Sequence, residues 1–391
     1  MIIRNIEITG AGHRGNIRVL GEKIVAVSSQ DLSPLALDQG PPELCLTFNG
    51  SLVFPGLINS HDHLDFNSFP LLGNRIYNNY TEWGEDIHHT NKDTIDAVLQ
   101  IPQALRTRWG IYKNLLNGVT TVINHGKRLN TTDDLIDVYQ GSASLHSLKG
   151  EKNWKYRLNL HPGKKPVVIH IGEGTDRLAA EEIDRLIKWN LFRRKIVGIH
   201  GVAMTQEQAA SFSALIWCPD SNYFLLGRTA AIDRLKDRTA ILFGTDSTLT
   251  ADSNIWTHLR LALEQEMVTN TELFEMLTTT PAVIWGLKDR GSIKEEQRAD
   301  IVVARPPEGA TGWDAFFALN PENLQLVLQK GNIKLFSEDL YDQLASSGLD
   351  LQDFHKIFIN GQGKYIHGNL PDLMSRIRKY YPSVDFPITS S

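Results

Sequence analysis

The sequence predicts an α/β protein, a distorted (β/α)8 TIM-like barrel with a small β-sandwich built from both chain ends. Three observations carry this expectation. Short apolar strands, each ending in a polar residue, alternate with amphipathic helices through the middle of the chain. Strand-like segments with Gly, Asn and Lys in their turns fill the first fifty residues, and a second β-rich stretch returns late. A length of 391 residues allows one large domain and a smaller accessory.

In residues 1–52, IRNIEIT, NIRVL and KIVAVS show alternation or β-branched enrichment. Their partner in the sandwich is residues 291–345, where GSIKEEQRADIVVARP precedes LQLVLQKGNIKLF and Leu324, Leu326 and Leu328 alternate up to a Lys-Gly-Asn turn. The barrel occupies residues 53–290, with VVIHIG, KIVGIHG, ALIWCP and AILFGTDS as strands. Thr205 and Gln208 form a capping box, and Ile183, Leu186, Ile187 and Leu191 make one helix face. A β/α unit needs roughly 30 residues, so the stretch from His125 to His170 predicts shortened or missing helices. Residues 346–391 differ in character. There FHKIFINGQGKYIHG carries an Asn-Gly hairpin signal and LMSRIRKYY a closing helix; the sequence assigns this extension no role, a lid or an oligomer contact being the options it leaves open.

Composition excludes several functions. No apolar run is long enough to cross a bilayer, and the start MIIRNIEITGAGHRGN lacks the features of a secretory signal, which makes the expected location cytoplasmic. Lys and Arg number 40 against 45 Asp and Glu, mixed along the chain, so nucleic acid is a poor partner. Cys45 and Cys218 are too few for a disulfide framework or a thiolate metal site. Any metal must be held by His and carboxylate.

Such residues occur at strand ends. In SLVFPGLINSHDHLDF an apolar strand presents His61 and His63, two positions apart and so on one side, where they can share an ion. VVIHIGEG adds His170 and Glu173, KIVGIHG adds His200 and AILFGTDS adds Asp246, each where a barrel strand delivers catalytic groups. A single one of these histidines reads as a satisfied core residue; coincident ligand chemistry at four strand ends does not.

PGLINSHDH, GVTTVINHG, HIGE, CPDSN, GTDS and GSIKEEQRADIVV are similar, in order, to successive markers of the amidohydrolase superfamily. Over residues 1–305 the chain resembles its aminohydrolase branch of adenosine, S-adenosylhomocysteine, guanine and cytosine deaminases and triazine hydrolases. The resemblance implies the flanking sandwich and one divalent ion per chain, Zn2+ with Fe2+ as the alternative. It also implies His61, His63, His170 and Asp246 as ligands, Glu173 as proton shuttle, and His200 beside the metal-bound water. Three imidazoles and a carboxylate leave one coordination position for water. The ion lowers the pKa of that water from about 15.7 to about 7, Asp246 and His200 orient it, and Glu173 gives and retakes the proton that deamination requires.

Two departures accompany the resemblance: the segment between the second and fifth strands is short, and residues beyond 345 have no counterpart. Lys149, closing SASLHSLK, would bridge two metals if carboxylated, as in the ring-opening branch, whereas HIGE and CPDSN belong to the one-metal pattern. Phe66, Tyr77, Tyr80 and Trp83 are suited to stacking on a flat heterocycle or to packing their loop on the barrel. Asn124, His125 and Asn222 are further pocket candidates, and His88 and His89 fall in a polar loop. The expected partner is a small heterocyclic substrate, with neither nucleic acid nor membrane, and a homo-oligomer is compatible. The expected activity is hydrolysis of a non-peptide C–N bond, most simply a deamination. The alternatives are a cyclic amide hydrolase and a catalytically idle relative that serves as a binding or scaffold module.

Overall fold

Parallel strands taken in chain order form the centre of the computed structural model, which describes all residues except 11, 36–42, 133, 161–164 and 391. One sheet runs Ala240–Phe243, Ala214–Trp217, Ile196–His200, Val167–Ile171, Ala143–Leu145, and another Leu57–Asp62, Val119–Asn124, Asp137–Tyr139. All pairings within both are parallel. The two arcs meet where the amides of Thr245 and Asp246 donate to the His61 carbonyl at 3.2 and 3.0 Å. Ile58 and Ile123 of one arc share a buried cluster with Val168, Val197, Ile199, Ile216 and Leu242 of the other. Leu57, Val122, Val167, Ile169, Leu215 and Phe243 face the larger core that contains the helices. Burial on both faces explains why these strands are continuous apolar runs without alternation.

The short side is where the His125–His170 spacing put it. Only residues 140–142 separate Asp137–Tyr139 from Ala143–Leu145, which leaves no room for a helix between them. Elsewhere helices cover the strands. Helix Arg177–Trp189 is capped by the Asp176 side chain, which accepts from Ala179 N, and buries Ile183 and Leu186. Leu191, expected on that face, lies past the end of the helix and is exposed, because the backbone turns out of the helix at Asn190. The Thr205–Gln208 capping box is present. Helix Gln103–Leu116 crosses the short turn Leu64–Phe66 that follows His63. Gly110 allows this approach, since a Cβ there would overlap the Leu64 carbonyl.

The two chain ends join in one nine-stranded sheet and not in two separate ones. Its order is Phe354–Ile359, Gln362–His367, Asn332–Ser337, Leu324–Gln329, Ile301–Ala304, Cys45–Pro55, Ile2–Ile8, Arg14–Leu20, Lys23–Ser28. The sheet curls so that the Gly331 turn comes against the Gly21 turn, and Ile3, Ile17, Val19 and Ile24 share a core with Leu326, Leu328, Ile333 and Phe336. Residues 354–367 belong to this sheet through the expected hairpin, with Asn360 and Gly361 at φ 46° and 77°. Helix Leu370–Arg378 buries Leu370, Leu373, Met374 and Ile377, and Phe386 beyond it meets Trp109 edge-on at 4.6 Å. The tail is thereby part of the packed structure, because its hairpin and helix each bury an apolar face.

Asp137 ties the short arc to the large sheet. Its carboxylate meets Arg290 and Arg298, Lys330 Nζ at 3.1 Å and Gln329 Nε2 at 3.0 Å. Burial alone would raise its pKa, but the guanidiniums of Arg298 and Arg290 outweigh that and hold it at about 2. A depressed folded-state pKa contributes stability above the ordinary value of 3.8, lost as pH falls through about 2. Asp137→Asn is expected to cost roughly 2 kcal/mol at pH 7 and to lower the thermal midpoint. The difference from wild type should shrink as scans move from pH 5 to pH 2; a difference independent of pH would sink this account.

Candidate metal centre

The strand Leu57–Asp62 ends in His61 and leads directly to His63, His170 lies on Val167–Ile171, and Asp246 follows Ala240–Phe243 by three residues. Their donor atoms converge. His63 Nε2 lies 3.3 Å from His170 Nε2, which is 3.4 Å from His61 Nε2. Asp246 Oδ1 lies 3.6 Å from His61 Nε2 and 3.8 Å from His63 Nε2. His170 Nδ1 donates to the His146 carbonyl at 2.8 Å and His63 Nδ1 to the His125 carbonyl at 3.2 Å, so both Nε2 atoms turn lone pairs inward. Lone pairs this close repel unless a cation lies between them. A tetrahedral ion with ligand bonds of about 2.0–2.2 Å puts its ligands roughly 3.3–3.6 Å apart, close to the four spacings of 3.3, 3.4, 3.6 and 3.8 Å above. The residues therefore fit a zinc-sized divalent ion.

Electrostatics agree with that fit. Burial pulls the His63 and His200 imidazoles down to about 4 and holds His125 and His170 well below their usual range, which leaves them neutral, the ligating form. Burial would raise Asp246, but its hydrogen bond with His61 and the surrounding imidazoles outweigh this and hold it well below the usual carboxylate range. Its Oδ2 accepts from Ser221 Oγ at 2.9 Å and Thr250 Oγ1 at 3.2 Å, and its Oδ1 from Ser247 N at 2.8 Å. Both His200 and Asp246 have left-handed backbone, φ 72° and 58°, strain of the kind that clusters at functional sites.

His200 ends Ile196–His200, and its Nδ1 is bonded to Asn222 Oδ1 at 2.8 Å. Its Nε2 points to Glu173 Oε1 at 3.5 Å and Asp246 Oδ2 at 3.9 Å. Glu173 is buried, and burial, with the charges of Asp246 and Glu182, pushes its carboxyl well above the usual range. Its protonated form is thereby favoured beside the ligand cluster.

A cavity of about 560 Å³ opens over these groups, lined by Phe66, Tyr80, Trp83, His125 and Leu249 among others. Trp83 Nε1 donates to the Leu72 carbonyl, which fixes its ring. His125 Nε2 is buried with no partner among the described residues, and so is the Tyr80 hydroxyl. Four sequence expectations are corrected. Tyr77 does not line the cavity: it packs with Val202, Leu225 and Leu226 and bonds Asp86 at 2.7 Å. Asn222 lies behind His200 and holds its ring. Asn124 accepts from Leu64 N at 3.2 Å to fix the turn after His63, and does not face this cavity. His88 and His89 are exposed in the last turn of helix Tyr80–Thr90, not in a loop. Lys149, weighed as a bridging ligand, is exposed and paired with Glu85 at 3.2 Å.

Sequence reading missed His146, Arg157 and Lys113. His146 follows Ala143–Leu145 and lines the cavity, but a three-residue strand gives no periodic signal. Arg157 reaches the cavity from helix Trp154–Leu160, where a cation reads as a solvated surface residue. Lys113, on helix Gln103–Leu116, points inward beneath the ligands.

Residues 157–333 match the model of the Amidohydrolase family. Among solved structures, the zinc complex of atrazine chlorohydrolase from Arthrobacter aurescens TC1 superposes with a TM-score of 0.65 at 18% identity, over 89% of this chain and 99% of that one. A zinc-bound adenosine deaminase from Xanthomonas campestris gives 0.64 at 15% identity, over 97% and 98%. Guanine deaminase from C. acetobutylicum with bound guanine gives 0.63 at 16% identity, over 85% and 99%. No curated protein matches the chain by sequence. No helix among the described residues is long and apolar enough to cross a membrane. The resemblance carried by the sequence motifs is thereby borne out: residues 157–333 match the Amidohydrolase family, and the fold over 85–97% of the chain is similar to that of these solved structures.

Proposed function

We propose that the protein is a metal-dependent hydrolase that deaminates a small heterocycle, with residues 53–290 as its catalytic unit. The observation that carries this reading is the approach of His63 and His61 Nε2 to His170 Nε2 at 3.3 and 3.4 Å, and of Asp246 Oδ1 to His61 and His63 Nε2 at 3.6 and 3.8 Å, beside a cavity that His63, His170 and Asp246 line. The structural neighbours named for atrazine, adenosine and guanine support a flat nitrogen heterocycle as the class of substrate.

A divalent ion held by His61, His63, His170 and Asp246 would supply a water molecule of pKa near about 7 and so hydroxide at neutral pH. Asp246 and His200, whose Oδ2 and Nε2 lie 3.9 Å apart, would orient the attacking oxygen. Glu173, whose protonated form burial favours, would donate to the ring nitrogen that receives electrons, take up the proton of the attacking hydroxide, and pass that proton to the departing amine. Phe66, Tyr80 and Trp83 offer faces against which a planar ring can lie.

The test is a screen of aminated purines, pyrimidines, pterins and triazines for ammonia release by zinc-loaded protein. Ring opening without ammonia would move the activity to cyclic amides, and no turnover by zinc-replete protein would favour an idle binding relative. One equivalent of zinc per chain is expected by elemental analysis, unchanged in Lys149→Ala, because Lys149 Nζ is engaged with Glu85 at the surface. Two equivalents, one of them lost in that variant, would require the binuclear mechanism instead.

A further inference from the structure

Beneath the metal centre lies a buried ammonium that the proposed chemistry does not use. Lys113 and Asp62 are 2% and 0% exposed, with Nζ 3.0 Å from Asp62 Oδ2. The same nitrogen donates to Asn67 Oδ1 at 2.9 Å and the Asp246 carbonyl at 3.2 Å, with Thr245 Oγ1 at 3.4 Å. Asp62, between His61 and His63 in sequence, also accepts from Asn67 Nδ2 at 2.8 Å and Asn114 Nδ2 at 2.7 Å. Asn59 joins the same group by donating to Thr245 Oγ1 at 2.8 Å and to Asn114 Oδ1 at 2.9 Å.

A buried ion pair seldom stabilises a fold more than apolar packing of the same volume, because both charges lose their hydration. Its use here is geometric. One strand end and the loop after it carry His61 and His63, and the other loop carries Asp246 with a left-handed backbone at φ 58°. Three of the four donor atoms depend on how these two segments are spaced. The ammonium is bonded to both, through the Asp62 carboxylate on one side and the Asp246 carbonyl on the other, and Asn67 and Asn114 prevent Asp62 from turning away.

We propose that Lys113 is a positioning residue of the metal centre, whose ammonium clamps the His61-Asp62-His63 segment to the Asp246 carbonyl and sets the ligand spacing before the ion arrives. This rests on the proposed metal centre. Lys113→Met removes the ammonium at similar length but strands the Asp62 charge; adding Asp62→Asn removes that charge as well. Zinc affinity is measured for both variants and wild type by competition with a chromogenic chelator, and the thermal midpoint of each zinc-free protein by circular dichroism. The single variant is expected to lose both midpoint and affinity. The double variant should recover midpoint, since no buried charge is left unpaired, yet bind zinc about 10- to 100-fold more weakly than wild type. A double variant with wild-type affinity overturns the inference and leaves the metal centre standing. Affinity that merely follows the midpoint across the three proteins also overturns it, as a structural role alone. Wild-type protein that binds no zinc removes both the inference and the proposed metal centre.

Discussion

Glu173→Gln is expected to turn over about 10² to 10⁴ times more slowly than wild type while holding zinc at the wild-type level. The substitution keeps the size of the side chain and much of its hydrogen bonding but cannot give and retake a proton. Glu173 follows His170 by three residues, yet its nearest site contact is His200 Nε2 at 3.5 Å, outside the set of closely spaced ligand atoms. Burial together with the neighbouring Asp246 and Glu182 raises its carboxyl well above the usual range and so favours the protonated form that an acid catalyst needs. The rate is measured on whichever heterocycle releases ammonia, with metal content determined on the same preparation. A fully active variant would remove Glu173 from proton transfer, and a variant that loses zinc would make it a ligand.

Loss of metal and activity together, with the fold retained, is expected for His61→Ala and for Asp246→Asn. His61 Nε2 lies 3.4 Å from His170 Nε2 and 3.6 Å from Asp246 Oδ1, so its removal takes away a central donor. At position 246 Asn is a better choice than Ala, because the left-handed backbone at φ 58° tolerates Asn. Asn can still accept from Ser247 N but carries no charge to balance the ion. Circular dichroism should change little, since the ligands sit at or just past the ends of their strands and none belongs to the apolar clusters. Zinc and turnover at wild-type levels in either variant would show that the ligand assignment is wrong.

The amino-acid sequence by itself determined the alternation of the strands around His170, His200, Trp217 and Phe243 with helices, the capping box at Thr205, the turns at Lys330-Gly331 and Asn360-Gly361, and the candidates His61, His63, His170, Glu173, His200 and Asp246. These were legible because each rests on a local rule: an apolar run that stops at a polar residue, a side chain reaching its own helix terminus, or a backbone that needs positive φ. Tertiary structure decided what depends on distance across the fold. It made one curled sheet of the two chain ends and the tail, because strands so far apart in sequence choose partners by packing and register. It turned Asn222 away from the cavity to hold His200, and Tyr77 into an apolar cluster. Above all it turned Lys113, a cation on a helix with no sequence sign of burial, under the ligands, where acceptors from Asp62, Asn67 and Asp246 meet. Only the folded chain gathers those acceptors around one ammonium, since the strand ends that supply them lie more than 180 residues apart.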